Sequence, residues 1–189
     1  MGLISKIKQL CFVNLRIIKY KFLSDCQRVV GKPKLFYPVL LKGKGTIIFE
    51  ENVQIGVISS PYFYLGYTFM EAKYDSSEIN IGSNVAINNA FSIICSSKVT
   101  IRDNVLIGGN CTIMDNDGHY LDLDKRNESN PISFPVYIGE NVFIGSNVSI
   151  LKGVTIGENS VIGNGSVVSK NIPKNVIAAG NPAKVIRNL

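Results

Sequence analysis

From Ile81 onward the chain places an apolar residue at every sixth position. Ile81, Ile87 and Ile93 are followed, after a slip of two residues, by Ile101, Ile107 and Ile113. The rhythm returns at Ile138 and runs through Ile144, Ile150, Ile156 and Ile162 to Val168. An α-helix repeats near 3.6 residues and a plain strand near 2, so a period of six marks a compound unit. Two residues before most markers stands a second apolar or small residue: Val85, Phe91, Val99, Val105, Cys111, Val136, Val142, Val148, Val154, Ser160 and Ser166. Positions i and i+2 of a strand point to one side. Each unit therefore predicts a very short strand with two inward side chains, followed by a turn.

Gly82, Gly108, Gly139, Gly145, Gly157 and Gly163 directly follow marker residues, and Asn and Asp are frequent in the turns. All three residue types tolerate the backbone angles of tight corners, which is the role expected for them here. Three strands per coil give a triangular solenoid with isoleucines stacked inside it. Such an array buries its core only by stacking, so its ends need caps.

The rhythm stops at residues 114–122, "MDNDGHYLD", which hold the only histidine of the chain. Six residues after Ile113 comes His119, and two before that Asp117, so a carboxylate and an imidazole fall where an apolar pair is due. Burying both among aliphatic side chains would cost several kcal/mol unless they were satisfied. The chain is therefore expected to turn outward at Gly118, run through an inserted loop over 115–135, and resume at Val136.

Residues 1–44 read differently. Leu3, Ile4, Ile7, Leu10, Cys11 and Ile18 fall near helical spacing with lysines between them, which predicts one or two short amphipathic helices capping the first coil. Gly31, Pro33 and Pro38 would end them. The division expected is a helical segment at 1–44 and a solenoid domain at 45–189. The stretch 57–80 is rich in aromatics but broken in rhythm, so it predicts an irregular coil or loop, lining an acceptor site.

Composition adds constraints. A chain of 189 residues builds one well-buried core. Ten Lys/Arg against Asp25 alone give residues 1–44 a net +9, while the remainder carries ten basic and thirteen acidic residues, net −3. Concentrated basic charge suits a polyanionic partner: a membrane surface, a phosphorylated substrate or nucleic acid. No nucleic-acid-binding motif is present, which leaves peripheral membrane contact through 1–44 or a phosphorylated substrate. Cys11, Cys26, Cys95 and Cys111 lack paired metal spacing and read as free thiols of a reducing, cytoplasmic compartment, with the inner membrane surface as a further location. No stretch is apolar for long enough to cross a bilayer, and no secretory signal pattern is seen.

The stretch "IGENVFIGSNVSILKGVTIGENSVIGNGSVVSKNIPKNVIAAGNPAKVIRNL" (138–189) resembles the hexapeptide-repeat acyltransferases, and among them the maltose and galactoside acetyltransferases. The likeness covers 79–114 and 136–189, with an echo in "FEENVQIG" (49–56). It implies an all-β, left-handed parallel β-helix; the handedness comes from the family alone, since parallel crossovers are otherwise right-handed. It also implies a homotrimer, acetyl-CoA as co-substrate, a saccharide acceptor and no metal.

In the resembling enzymes a histidine just before the loop is the general base, which gives His119 that role. A carboxylate on the other ring nitrogen would fix the tautomer, and either Asp117 or Asp115 could supply it, since alternation sends both the same way. "AINNAF" matches the stretch whose asparagine contacts the acceptor, so Asn88, with Asn89 behind it, is expected at the substrate. In "FIGSN" the backbone N–H of Ser146 matches the donor facing the thioester carbonyl. Phe143 stands where the sugar enzymes carry tryptophan. "GNGSVVSK" matches the coenzyme A channel with Asn164, Ser169 and Lys170. "GNPAKVIRNL" matches the C-terminal signature, giving Lys184 and Arg187 to the coenzyme phosphates; lysine at 184 replaces arginine, keeping charge but losing bidentate geometry.

The resulting expectation is an acetyl-CoA-dependent transferase acting by direct attack on a sugar hydroxyl of a cell-surface polysaccharide or its precursor. The alternative acceptor is the amino group of a nucleotide-linked deoxysugar. Zinc carbonic anhydrases share the fold but need three histidines per metal, which one histidine per chain cannot supply. A purely structural β-helix would not need a polar break at an Asp–His pair. A covalent cysteine mechanism is disfavoured because Cys111 occupies an inward repeat position.

Overall fold

The computed structural model describes residues 7–128 and 131–189. Three sheets of six, eight and six strands run the length of a left-handed parallel β-helix, and successive strands of the chain pass from one sheet to the next. Sheet one holds Arg28–Val30, Thr46–Phe49, Glu78–Ile81, Lys98–Ile101, Val136–Ile138 and Thr155–Ile156. Sheet two runs from Lys34–Leu35 through Gln54–Ile55, Ala86–Ile87, Leu106–Ile107, Phe143–Ile144 and Val161–Ile162 to the antiparallel pair Val176–Gly180 and Ala183–Asn188. Sheet three begins at Val39–Lys42, continues through Thr68–Ala72, Ser92–Cys95, Thr112–Met114 and Ser149–Ile150, and ends at Val167–Val168.

Register explains the period of six. Ile81 pairs with Ile101 and Ile101 with Ile138, so equivalent isoleucines stack directly over one another. All the marker residues and their i−2 companions are buried, Ser160 and Ser166 included. Each buried aliphatic side chain contributes about 1.5–3 kcal/mol relative to exposure, and only stacking supplies the burial.

The corners correct the role expected for the glycines. Asn52, Asn84, Asn104, Asn141, Asn159 and Asn175 take the left-handed backbone conformation at the corner between sheets one and two, φ 56–61°. Their side chains form a ladder along the molecule: Asn52 to Asn84 at 3.2 Å, Asn84 to Asn104 at 3.2 Å, Asn141 to Asn159 at 3.0 Å and Asn159 to Asn175 at 2.8 Å. Asparagine thus supplies both the backbone angle and a side-chain bond between coils. The glycines after the markers serve close approach instead. A Cβ at Gly108 would lie 2.5 Å from the Ser146 nitrogen, and one at Gly157 2.4 Å from that of Lys174.

The solenoid also begins earlier than its sequence rhythm suggested. The helical segment ends at Leu23, and residues 28–42 already form a complete coil with Val39 buried, so the boundary falls before 44. The irregular region is shorter than 57–80: only 57–67 leaves the coil, and Thr68–Ala72 and Glu78–Ile81 are ordinary strands. The six-residue rhythm is hidden there because its corners vary in length, while inward positions such as Ile47, Ile55 and Met70 remain fully buried.

Helix α1, Leu15–Leu23, follows a π-helical turn at Leu10–Asn14. Leu3 and Ile4 of the expected apolar stripe lie outside the described residues. The helix packs on the 57–67 loop: Val13, Tyr37 and Phe63 form a small second core, Tyr20 stacks on Tyr67 with centroids 4.5 Å apart, and Arg16 donates to the Gly66 carbonyl. Tyr37 donates its hydroxyl to the Leu65 carbonyl, and burial pushes its pKa up.

Candidate functional site

The excursion starts one residue later than the last regular strand. Ile113 pairs with Ile93 and Met114 with Ile94, so Asp115 lies over Cys95 in an inward column and is fully buried. Its carboxylate accepts from the backbone N–H groups of Ser96 at 2.7 Å and Ser97 at 2.6 Å, and from Asn116 Nδ2 at 3.0 Å. The Cys95 thiol is 3.5 Å away and donates to it; burial first, and then this carboxylate, push that thiol well above the usual cysteine range. Asp115 is therefore a corner fastener occupied by backbone donors, and it does not touch His119. That corrects one of the two carboxylates expected at the imidazole.

Beyond Asp115 the chain turns out. Gly118 adopts φ +76° with open space where a Cβ would be, and donates its N–H to Asn116 Oδ1 at 2.8 Å. Phe134 N–H returns to the Asp115 carbonyl at 2.8 Å and closes the neck of the loop. His119 is exposed, and its Nδ1 lies 3.1 Å from the Arg126 carbonyl oxygen. A carbonyl oxygen only accepts, so Nδ1 carries the hydrogen, and in the neutral ring Nε2 is then the nitrogen with the lone pair. Asp117, the other expected partner, is ion-paired with Lys152 instead. A backbone carbonyl thus does the orienting that was assigned to a carboxylate. Asp117, His119, Leu121, Asp122, Pro131 and Lys152 surround a cleft of about 130 Å³.

A second set of expected residues gathers on the corner between sheets two and three. Ser146 N–H donates to Asn164 Oδ1 at 2.8 Å, so it is already occupied, contrary to the free donor expected. Asn88 Oδ1 accepts from Asn89 N–H at 2.7 Å, and its amide nitrogen has no hydrogen-bond partner among the described residues. Asn89 is fully buried with its amide engaged: Oδ1 accepts from Val57 N–H at 3.1 Å, and Nδ2 donates to the carbonyls of Val57 at 3.1 Å and Pro61 at 3.0 Å. It anchors the 57–67 loop, which corrects its expected contact with substrate.

That loop and the corner enclose a groove of about 200 Å³ lined by Ser60, Pro61, Tyr62, Gly109, Ser146 and Asn147. The Gly109 N–H, at the position equivalent to Ser146 one coil earlier, has no partner among the described hydrogen bonds. Sequence reading missed it because a backbone donor leaves no trace in side-chain identity. Ser169 and Lys170 are exposed beyond Val167–Val168, and Lys184 and Arg187 lie on the final strand opposite Ala179 and Ile177. Ser169 and Lys170 share the coil of Asn164, and Lys184 and Arg187 lie beyond it on the terminal antiparallel strand.

One chain does not bring the two sets together. The groove is at one edge of sheet three, the histidine loop leaves from the other, and the strand Thr112–Met114 between them spans about 10 Å.

Two family models match the chain: "Bacterial transferase hexapeptide (six repeats)" over residues 135–170, and "Hexapeptide repeat of succinyl-transferase" over 98–118. A maltose O-acetyltransferase of known structure from Clostridium difficile is 32% identical, with 86% of this chain and 71% of that chain covered and a TM-score of 0.59. The chain belongs to the hexapeptide-repeat acyltransferase family. Another hexapeptide-repeat acetyltransferase, that of Vibrio cholerae solved with acetyl-CoA, is 37% identical over 59% of this chain and 60% of that one, TM-score 0.56. The galactoside O-acetyltransferase of Escherichia coli is 50% identical over 113 residues, which is 60% of this chain and 55% of the relative. The chain spans 53–65% of the length of the curated relatives it matches.

Proposed function

We propose that this hexapeptide-repeat acyltransferase moves an acetyl group from acetyl-CoA to a sugar hydroxyl, with His119 as general base. The observation that carries the reading is the ring itself: exposed, held by a carbonyl at Nδ1, and with no partner for Nε2 among the described residues, beside a cleft. Relatives named for galactoside and maltose O-acetylation, and one solved with acetyl-CoA, support the donor and the acceptor class.

The residues present suit the donor. Lys170, Lys184 and Arg187 are cations of the C-terminal end that would hold its phosphates, and the groove at Gly109 and Ser146 has room for a thioester end. Acetyl-CoA supplies an activated acyl carbon. His119 Nε2 accepts the hydroxyl proton as the sugar oxygen bonds to that carbon, and returns it to the sulfur that leaves. The open N–H of Gly109, in place of the occupied one of Ser146, is the donor available to the carbonyl oxygen. Asn88, through its free amide nitrogen, is assigned to the acceptor.

Because the groove and the histidine lie on opposite edges of sheet three, we assign the complete site to the junction of two chains in a homotrimer. The saccharide of a cell-surface polysaccharide or its precursor is the acceptor class proposed. His119→Ala is expected to lower turnover about 10²–10⁴-fold while leaving acetyl-CoA affinity unchanged in a calorimetric titration. A His119→Ala enzyme that retains full activity would end the reading. Light scattering of the full chain reports a trimer mass, and a monomer with full activity would refute the shared site.

A further inference from the structure

Helix α1 is apolar on both of its sides. The inward side is accounted for: Val13, Arg16, Ile17 and Tyr20 meet the 57–67 loop, and the Ser24 hydroxyl, just past the helix, accepts the Leu41 N–H at 2.9 Å. The outward side presents Leu15, Ile18 and Phe22, which are spaced i, i+3 and i+7 and so fall on one stripe. They are 54%, 63% and 87% exposed, and Leu10 and Phe12 of the preceding turn add 55% and 58%. A lone exposed leucine is ordinary, but five large apolar groups on one short segment form a patch that needs a partner.

Charge says which partner. Lys8, Lys19 and Lys21 flank the stripe, and residues 7–24 contain no acid. Lys32 and Lys34 sit on the first coil, and none of these five lysines is in an ion pair among the described residues. The first coil is also the open end of the solenoid: Arg28–Val30, Lys34–Leu35 and Val39–Lys42 are each the outermost strand of their sheet. An apolar groove of about 330 Å³ opens there, floored by Leu35, Val39, Leu41 and Phe49 and rimmed by Lys21 and Lys32. The patch and the groove therefore adjoin through the last turn of α1.

We infer that this end of the molecule docks on an anionic membrane surface, with the outward stripe of α1 in the headgroup layer and the lysines against lipid phosphates. Apolar groups flanked by lysines are the arrangement that lies in such an interface, where the long stems reach outward while their ammonium groups stay wet. A second copy meeting it stripe to stripe is a poorer occupant, because it would set the same unpaired lysines against one another with no acid in residues 7–24 to offset them. Among the described residues no helix is long and apolar enough to cross a membrane, and the contact inferred is a peripheral one. The inference stands apart from the acyl-transfer reading, and its test does not use activity.

The test is flotation of the full chain with phosphatidylcholine vesicles, with and without phosphatidylglycerol. Binding is expected only where phosphatidylglycerol is present, and high salt is expected to weaken it. Lys19→Gln and Lys21→Gln each lower the partition about fivefold, which is the effect of one basic side chain near an anionic surface. The double variant Ile18→Ser with Phe22→Ser removes flotation while the circular dichroism spectrum stays native. A native chain that fails to float, or that floats equally with neutral vesicles, overturns the inference. So does an Ile18→Ser/Phe22→Ser variant that still floats but loses oligomer mass by light scattering, since a second copy would then cover the stripe.

Discussion

The coils between Val136 and Val168 and the excursion at 115–135 answer the same problem in opposite ways. In the coils, every inward position is filled by an apolar or hydrogen-bonded small side chain, and the corners take the left-handed conformation at Asn141, Asn147 and Asn159 or at Gly153 and Gly165. At the excursion, an inward position holds Asp115, and the chain accommodates it by giving it the N–H groups of the corner below. The carboxylate is thus tolerated at a corner, where backbone donors are unpaired. Once Asp115 has closed the coil, the following residues are free of the repeat and can present His119 to solvent.

Three stability measurements sharpen that contrast, all read by urea unfolding. Ile144→Ala, in the middle of a regular coil, is expected to cost about 2–5 kcal/mol, because the stacked column cannot collapse into the space left. Asp115→Ala strands two backbone N–H groups and is expected to cost about 2–4 kcal/mol, whereas Asp115→Asn keeps an acceptor and loses less. An Asp115→Ala variant as stable as the native chain would mean that the corner does not depend on its carboxylate.

The corner ladder gives a smaller effect. Asn159→Ala removes bonds to Asn141 and Asn175 and leaves a Cβ residue at φ +59°, for about 1–2 kcal/mol in total. Asn159→Gly relieves the backbone part, so the difference between the two variants separates angle from hydrogen bond. Smallest is Lys152→Met, which breaks the pair with Asp117 near the surface and is expected to change stability by less than about 1 kcal/mol. Thiol labelling completes the comparison of inside and outside. Cys11 reacts with a soluble disulfide reagent in the native chain, while Cys95 and Cys111, buried and with thiolates disfavoured by desolvation, react only on unfolding.

Much of the fold was legible because burial in a solenoid repeats. Every marker isoleucine from Ile81 on announces one side of a coil, and the break at Asp117 and His119 announced the loop. The first two coils were harder to see, since the 57–67 loop and uneven corners interrupt the count without disturbing the inward residues. At the site, the sequence pointed to the imidazole but not to its company. Asp115, Asp117 and Arg126 are all near His119 along the chain, and spacing alone cannot tell that the Arg126 carbonyl is the one that bonds. Asn88 and Asn89 are neighbours of the same type, yet the amide nitrogen of one has no partner among the described residues and the other is consumed by Val57 and Pro61.

By itself the sequence determined which side chains go inward, how many residues each side of the coil takes, and where the regular stack must open. Those are questions of apolar periodicity, and periodicity is carried by residue identity alone. Tertiary structure decided which polar atoms are already spent: Ser146 N–H on Asn164, Asp117 on Lys152, Asp115 on the corner beneath it. Hydrogen bonds of that kind join residues far apart in the chain and depend on direction as much as on distance, so only folded coordinates reveal them.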